Sequence, residues 1–355
     1  MSQERALRAL ALQTTNRIPS FELIEHPEYI KKISGMDPFE QPVEALLLTL
    51  ERLDIDWTIG VPKKAVAFRD DETRKVSEEG NVVTQWSYSG SIWEEDHVFT
   101  SEEEVLGYDP FEDKGEKVRV CSRKYRDSAL NDAVEDYRLT EKTTLATGIY
   151  YTTLFQFFIM AFGWEMFLTT AASEPERFRH TIELFTRFSL ENTKRWAKSE
   201  IPVFFFHDDI AITRGLVFPP SWYRENIFPS YERILQPVRE SGKKIIFVSD
   251  GNYQEVIDDI FALGVDGIMV QNEIDMSHVM KKYGRNKIVI GNISTRVITE
   301  GSKEDIRREV QRCVDIGKDC PGYFIKASGE LPHNIPMENM DWYFEYCRSL
   351  GRRGA

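Results

Sequence analysis

Residues 202–211 read PVFFFHDDIA and residues 243–252 read KKIIFVSDGN, and these two segments decide the fold. In each, an apolar run stops abruptly at polar residues. The first run ends in His207 and two aspartates, and the second ends in Ser249 and Asp250. Apolar runs of four or five residues are typical of parallel strands that are buried on both faces. Two such runs, separated by a helical pattern, predict strands that deliver His and Asp side chains to one rim.

The alternation of strand and helix recurs along the chain. Predicted strands lie at 18–23, 55–59, 144–148, 202–206, 244–248, 266–270, 287–291 and 322–326. A helical pattern follows each strand, and eight such units with short turns predict an α/β protein with the (β/α)8 fold of a TIM barrel. No strand is followed by a dinucleotide-type glycine fingerprint or by a P-loop, which disfavours a nucleotide site.

Residues 60–140 interrupt this alternation. The segments VAF (66–68), VVTQWSYSGSIW (82–93) and HVF (97–99), with EEGN as a turn, predict an antiparallel β-ribbon after strand 2. This region contains no long apolar element. We therefore predict a single domain over residues 1–355, with 60–140 as an inserted excursion.

Composition and charge exclude several classes of protein. The chain has 355 residues with 41% hydrophobic and 29% charged residues, as in globular domains. The formal net charge of −13 argues against a nucleic-acid surface, which needs clustered Lys and Arg. No apolar run approaches the roughly 20 residues of a membrane helix, and the charged N-terminus does not resemble a signal peptide.

The four cysteines form no CxxC pair and suit reduced thiols. The expected location is therefore cytoplasmic. The oligomeric state stays open, with a homodimer as one option.

Reaction sites of such barrels lie where strands end and helices begin. Polar and aromatic side chains at these predicted ends make up the candidate site: Glu25, Tyr150, Tyr151, His207, Asp209, Asp250, Glu273, Asn292 and Glu330. Structural roles compete with functional ones. One of Asp208 and Asp209 is expected to cap the turn that follows them, and Tyr150 and Tyr151 suit a core as well as a substrate wall. For His207, function and structural support are equally favoured.

At this point the chain resembles the uroporphyrinogen decarboxylase superfamily along nearly its whole length. The matching pieces occur in the family's order: RALRALAL with NRIP, FGWEMFL with SEPERF, HDDIA, GLVFPPSWYRENIFPSYERI, SDGN, LGVDGI, GNIS and the late PMEN at 336–339. Each piece is weak alone, but the ordered set is specific. The resemblance implies the same (β/α)8 barrel.

Departures from the family patterns narrow the expected activity. The decarboxylase has an Arg-rich segment after strand 1, whereas this chain has FELIEHPEYIKK. A substrate with eight carboxylates would meet an acidic mouth, which disfavours porphyrinogen decarboxylation. The thiol-methylating branch binds zinc through a His-x-Cys pair and a later Cys. The corresponding positions here are Val248, Asp250 and about Gly329, so that thiolate site is absent from the sequence.

The resemblance then implies the branch that takes a methyl group from a small methylated substrate, such as an aryl methyl ether, and passes it to the cobalt of a corrinoid protein. Cobalamin would be carried by that partner protein. His207, Asp250 and Glu330 are the predicted catalytic groups, acting as acids or as ligands of a zinc ion. The predicted substrate-binding residues are Glu25, Tyr150, Tyr151, Asp209, Glu273 and Asn292.

Two other functions remain open. A decarboxylase of a porphyrinogen or a smaller acid would need a cation near the mouth, and Arg214 and Lys326 are the convenient candidates. A non-catalytic corrinoid- or tetrapyrrole-binding protein would be coloured as isolated.

Overall fold

The computed structural model describes residues 2–65, 74–76, 82–85, 92–95 and 98–353, the three short stretches as backbone only. The strands are β1 (Ile24–Glu25), β2 (Trp57–Thr58), β3 (Arg74–Val76), β4 (Val82–Gln85), β5 (Ile92–Glu95), β6 (Leu145–Ala146), β7 (Val203–His207), β8 (Ala211–Ile212), β9 (Gly215–Leu216), β10 (Lys244–Val248), β11 (Gly267–Met269), β12 (Ile288–Ile290), β13 (Tyr323–Phe324) and β14 (Leu331–Pro332).

Helices follow the strands, as the sequence pattern predicts. They are α1 (Ser2–Leu10), α2 (Pro27–Ser34), α3 (Pro42–Leu53), α4 (Glu102–Leu106), α5 (Arg123–Leu139), α6 (Phe155–Ser173), α7 (Pro175–Ala197), α8 (Pro220–Asn226), α9 (Phe228–Glu240), α10 (Ile257–Ala262), α11 (Met276–Tyr283), α12 (Thr295–Glu300), α13 (Lys303–Gly317) and α14 (Met337–Leu350).

Five of the strands form one parallel sheet in the order β13-β12-β11-β10-β7. Parallel pairing continues beyond this sheet through shorter contacts. The backbone N–H of Phe21 donates to Ile325 O, and that of Trp57 donates to Ser20 O, both at 3.0 Å. β2 then pairs with β6, and Tyr150 bridges Phe206 in β7. The result is an α/β fold built on parallel strands.

Strand boundaries differ from the prediction mainly at the first strand. The sequence places it at 18–23, whereas the regular strand is Ile24–Glu25 and only single parallel bridges occur at Ser20 and Phe21. Pro19 lacks a backbone N–H, so it accepts a hydrogen bond from Ile325 but cannot donate one to the ladder.

The hydrophobic core has two layers because strand side chains alternate between faces. In β7, Phe204 and Phe206 pack in the cluster beneath the helices, whereas Val203 and Phe205 pack in a second cluster with Trp57. The rings of Trp57 and Phe205 lie 5.0 Å apart between centroids. This inner cluster lies below the rim to which the strands deliver their polar residues.

The excursion is partly as predicted. β3, β4 and β5 pair antiparallel, which confirms an antiparallel ribbon after strand 2. The predicted strand at 66–68 lies outside the described residues. Val98 and Phe99, at the end of the predicted HVF strand, lie in no strand. The 17-residue helix α5 was not predicted, because nearly half of its residues are charged and it buries little apolar surface. The insertion of 60–140 into a single domain stays a prediction.

Among the described residues, one helix, Phe155–Ser173, is long and apolar enough to cross a membrane. Its Phe155, Phe157 and Phe158 are fully buried against other elements of the protein. Such burial is typical of a core helix, so the helix is weak support for a membrane span.

Candidate active site

A cavity of about 750 Å³ lies at the carboxyl ends of the parallel strands. Its walls combine apolar side chains with a few polar groups, as small-molecule sites do. The apolar wall includes Ile59, Ile149, Ile159, Met160 and Met269. The rings of Tyr151 and Trp164, which are 40% and 39% exposed, connect this wall to solvent.

Strand alternation explains which polar residues reach the cavity. Val203 and Phe205 belong to the inner core, and His207, two residues further along β7, lines the cavity. Val248 of β10 is likewise followed two residues later by Asp250. Because side chains alternate with a period of two, the next residue on the inner face of each strand lies in the cavity wall.

His207, Asp209 and Asp250 form a connected group, which we call the acidic triad. Nε2 of His207 lies 2.9 Å from Oδ1 of Asp209, and the backbone N–H of Asp250 donates to the same oxygen at 2.8 Å. The side-chain amide of Gln271 donates to Oδ1 of Asp250 at 2.7 Å. Nδ1 of His207 is buried and has no hydrogen-bond partner among the described residues. One ring nitrogen of His207 is thus engaged by Asp209, and the other is buried without a hydrogen-bond partner among the described residues.

Charges within the triad shift the proton affinities of its members. Burial alone would lower the pKa of His207, but the Asp209 carboxylate overcomes this and the pKa is raised above its ordinary value. Burial would raise the pKa of Asp209, yet the nearby imidazole holds it below its usual range. Enclosure in the cavity and then the charge of Asp209 raise the pKa of Asp250. The group therefore favours an imidazolium–carboxylate pair beside a second, more basic carboxyl.

Asp208 has a structural role, in contrast to its neighbour. It is fully buried, and its carboxylate accepts hydrogen bonds from the backbone N–H groups of Leu154, Phe155 and Gln156. The hydroxyl of Tyr231 donates to it at 2.6 Å. α6 has no side-chain cap of its own, so Asp208 caps this helix from β7. Asp208 is thus a cap, but of a helix that precedes it in the chain and not of the turn that follows it.

Lys326 also lines the cavity and is 3% exposed. Its Nζ donates to the carbonyl oxygens of Ala327 and Gly329, both at 2.7 Å. Burial lowers the pKa of Lys326, while the carboxylates of Glu22 and Glu330 act in the opposite direction. Burial raises the pKa of Glu22 to about 7 despite the charge of Lys326.

The structure places Tyr151, His207, Asp209, Asp250 and Glu330 on the cavity. Their predicted roles stay predictions.

Tyr150 and Asn292 do not line the cavity, and their role as substrate-binding residues stays a prediction. The Tyr150 hydroxyl lies 3.2 Å from the Ser189 hydroxyl, on the outer face of its strand. The Asn292 amide donates to Gln271 O at 3.1 Å, and its oxygen accepts from Arg312 at 3.1 Å. These contacts hold the loops together instead of facing a ligand.

Glu25 and Glu273 also lie away from the cavity lining. Glu25 ends β1, beside Pro332 of β14, and Glu273 is exposed in the turn after β11. Their role as substrate-binding residues stays a prediction.

Several cavity residues were not among the predicted site residues. Gln271 and Lys326 follow Met269 and Phe324 of the inner core by two residues, so strand alternation could have revealed both. Arg119, from the short turn Arg119–Cys121 of the excursion, could not be found in this way. Arg214, the other cation considered for a decarboxylase, is exposed and does not line the cavity.

The acidic triad is also a group that could hold a metal ion. One ligand atom from each of its three residues lies within 4.8 Å of the others. Glu330, which the sequence suggests as the third ligand, is not in this group, and Asp209 takes that position. One imidazole and two carboxylates are compatible with zinc, although such a set lacks the thiolates that favour that metal most strongly.

Comparisons with known proteins agree with this architecture. Over the whole chain, the fold is similar to that of a methyltransferase from Methanosarcina mazei, with a TM-score of 0.66, 13% identity and 98% coverage of both chains. A curated uroporphyrinogen decarboxylase from Pelobacter propionicus is 22% identical over 180 residues. That match spans 51% of this chain and 51% of the relative.

The family Uroporphyrinogen decarboxylase (URO-D) matches residues 153–350. The matched range contains β7 and β10 with the whole acidic triad, as well as Lys326. The chain therefore belongs to the uroporphyrinogen decarboxylase family.

Proposed function

We propose that this protein is a methyltransferase that moves a methyl group from a small aryl methyl ether to the cobalt of a corrinoid protein. The observation that carries the proposal is the His207–Asp209 pair, which lines a largely apolar cavity. Removal of a methyl group from an ether leaves a poor leaving group, which a positioned acid improves. The likeness to a methyltransferase fold agrees with the proposal.

The proposed reaction balances in atoms and electrons without an external oxidant. The bond between the methyl carbon and the ether oxygen breaks, its electron pair stays on the oxygen, and His207 donates the proton that makes the phenol. The reduced corrinoid of the partner supplies the electron pair for the new carbon–cobalt bond. Asp209 holds the imidazole and favours its protonated form, in the manner of an orienting carboxylate.

The cavity walls fit a ring-shaped substrate. Ile149, Ile159 and Met160 offer apolar surface, and Tyr151 and Trp164 add aromatic rings at the exposed side. The ring of Tyr151 lies 4.6 Å from that of His207, so a substrate that stacks on Tyr151 would lie beside the acid. We propose that the corrinoid protein docks over this exposed aromatic side.

The parallel strands are further proposed to close into a (β/α)8 barrel. Support comes from the hydrogen bonds that link Ile325 to Phe21, Ser20 to Trp57, and Tyr150 to Phe205 outside the regular strands. Closure would gather the strand ends around one cavity.

As the alternative to acid catalysis by His207, zinc is proposed to bind at the acidic triad, where the imidazole would be a neutral ligand and the metal would act as a Lewis acid on the ether oxygen. Added Zn²⁺ is expected to raise the Tm of the zinc-depleted protein, because His207, Asp209 and Asp250 would bind it only in the folded chain. In Asp250→Ala the increase should largely disappear. Differential scanning calorimetry with and without Zn²⁺ measures both, and equal shifts in the two proteins would contradict zinc binding at the triad.

The proposed activity predicts formation of methylcobalamin. Purified protein with chemically reduced cobalamin should methylate it from at least one methoxylated aromatic compound, followed by absorbance, and release the matching phenol. Methylamines serve as the parallel set of donors. The absence of methylcobalamin with every compound, with the reduced corrinoid partner protein as well as with free cobalamin, would refute the proposal.

A decarboxylase of a small carboxylic acid is the second candidate. Two cations, Arg119 and Lys326, line the cavity and could bind a carboxylate. The three carboxylates of Asp209, Asp250 and Glu330 in the same lining make the eight-carboxylate substrate of porphyrinogen decarboxylation unfavourable. Release of CO2 from a small acid without methyl transfer would select this function.

A further inference from the structure

We propose that Lys326 binds the carboxylate of the substrate, so that the cavity takes an aryl methyl ether carrying one negative charge, such as a methoxybenzoate. This inference rests on the proposed function, since it names the class of methyl donor. It refines the sequence-based expectation that an acidic mouth disfavours a substrate with eight carboxylates.

The hydrogen bonds of Lys326 leave room for such a ligand. An ammonium group has three N–H donors. Two of them are used by Ala327 O and Gly329 O, which hold the Nζ in a fixed position at the cavity wall. A carboxylate in the cavity could accept the third. Because the side chain is almost fully buried, little of its conformational freedom remains to be lost on binding.

The cavity residues differ in their exposure to solvent, and this difference sets the orientation of the substrate. Lys326, Val248 and Met269 are all buried at the level of the inner core, whereas Tyr151 and Trp164 reach solvent. The side chains of His207 and Asp209 are 13% and 21% exposed, so they lie between these two levels. A carboxylate on Lys326 would therefore direct the opposite end of the ring, with its methoxy group, toward the triad and the mouth. A methyl acceptor on a separate protein can reach the methyl group only at the mouth.

The carboxylates near Lys326 do not preclude an anion. Glu22 accepts hydrogen bonds from the Tyr343 hydroxyl and the N–H of Ala327, and Asp250 accepts from Gln271. Arg119 lines the same cavity and adds a second cation to its wall. A single carboxylate at Lys326 thus meets a cation, while a polyanion would also face the carboxylates of the wall.

The test is a binding measurement that needs neither corrinoid nor turnover. Isothermal titration calorimetry compares 4-methoxybenzoate with uncharged methoxybenzene at neutral pH. The anion should bind the wild-type protein at least about tenfold more tightly, since a charge-assisted hydrogen bond is lost with the neutral ligand. Lys326→Met should remove this preference, and Lys326→Arg should retain part of it. Lys194→Met, on the exposed face of α7, is the matched control and should bind as the wild type does.

Loss of the buried charge in Lys326→Met leaves Glu22 without its neighbouring cation. The double variant Glu22→Gln/Lys326→Met removes both charges and keeps the test valid if the single variant does not fold. Equal affinity for anion and neutral ligand, or an unchanged preference in a folded Lys326→Met or double variant, would overturn the proposal. If the protein binds the anion selectively through Lys326 but forms no methylcobalamin, the role of Lys326 is supported and methyl transfer is rejected. Failure of the Lys326 proposal and failure of the proposed function are therefore distinguishable.

Discussion

Replacement of Asp208 by alanine is expected to lower the free energy of unfolding by about 3 to 5 kcal/mol. The carboxylate is fully buried and accepts hydrogen bonds from three consecutive backbone N–H groups at the start of α6 and from Tyr231. Alanine would leave these four donors buried without an acceptor. Chemical denaturation followed by circular dichroism measures the loss.

The adjacent aspartate provides the control. Asp209 is partly exposed and, within the part of the chain that the structure describes, hydrogen-bonds to His207 and one backbone N–H, so Asp209→Ala should change the free energy of unfolding by no more than about 1 kcal/mol. The two variants remove the same chemical group one residue apart. Equal losses of stability would contradict the assignment of Asp208 as the cap of α6.

Replacement of His207 by alanine is expected to lower kcat for methyl transfer by about 10²- to 10⁴-fold, the usual contribution of a positioned acid. Little change in stability is expected, because the ring makes one side-chain hydrogen bond, to Asp209. The measurement is methylcobalamin formation by chelator-treated protein, which removes any contribution of zinc. His278→Ala, at an exposed position of α11, should retain full activity. Full activity of His207→Ala would exclude this histidine as the acid.

Asp209→Asn adds a pH readout to this prediction. The Asp209 carboxylate raises the pKa of His207, so the protonated acid persists to higher pH in the wild-type protein. Without the negative charge the pKa of His207 should fall. The decrease in activity with rising pH should therefore occur at a lower pH in Asp209→Asn than in the wild-type protein. A profile that does not move would show that the carboxylate does not act through the histidine.

Much of the fold could be predicted because buried parallel strands leave a strong signal. PVFFFH and KIIFV are continuous apolar runs, and the observed strands β7 and β10 coincide with them almost residue for residue. The first strand was harder, since Pro19 interrupts its ladder and single bridges replace regular pairing. Helix α5 was missed because its buried face is small.

The site was predictable only along the strands. Side chains alternate between the two faces of β7, so Val203, Phe205 and His207 lie on the inner face and Asp208 lies on the outer face. The sequence therefore distinguishes the two neighbouring aspartates only when each strand position is assigned to a face. Beyond the end of a strand, side chains no longer alternate between the two faces of the sheet. Glu273 and Asn292 illustrate this, because loop geometry turns one to solvent and uses the other to join two loops. Arg119 reaches the cavity from the excursion, through tertiary packing that no local pattern encodes.

The most direct test of methyl transfer follows the methyl carbon and the carboxyl carbon of one substrate. 4-Methoxybenzoate labelled with ¹³C in the methyl group and with ¹⁴C in the carboxyl group is incubated with the protein and reduced cobalamin. The account predicts ¹³C in methylcobalamin, an equal amount of hydroxybenzoate, and ¹⁴C retained in that product. Release of the ¹⁴C as CO2, with the ¹³C still on the ether oxygen, would contradict it.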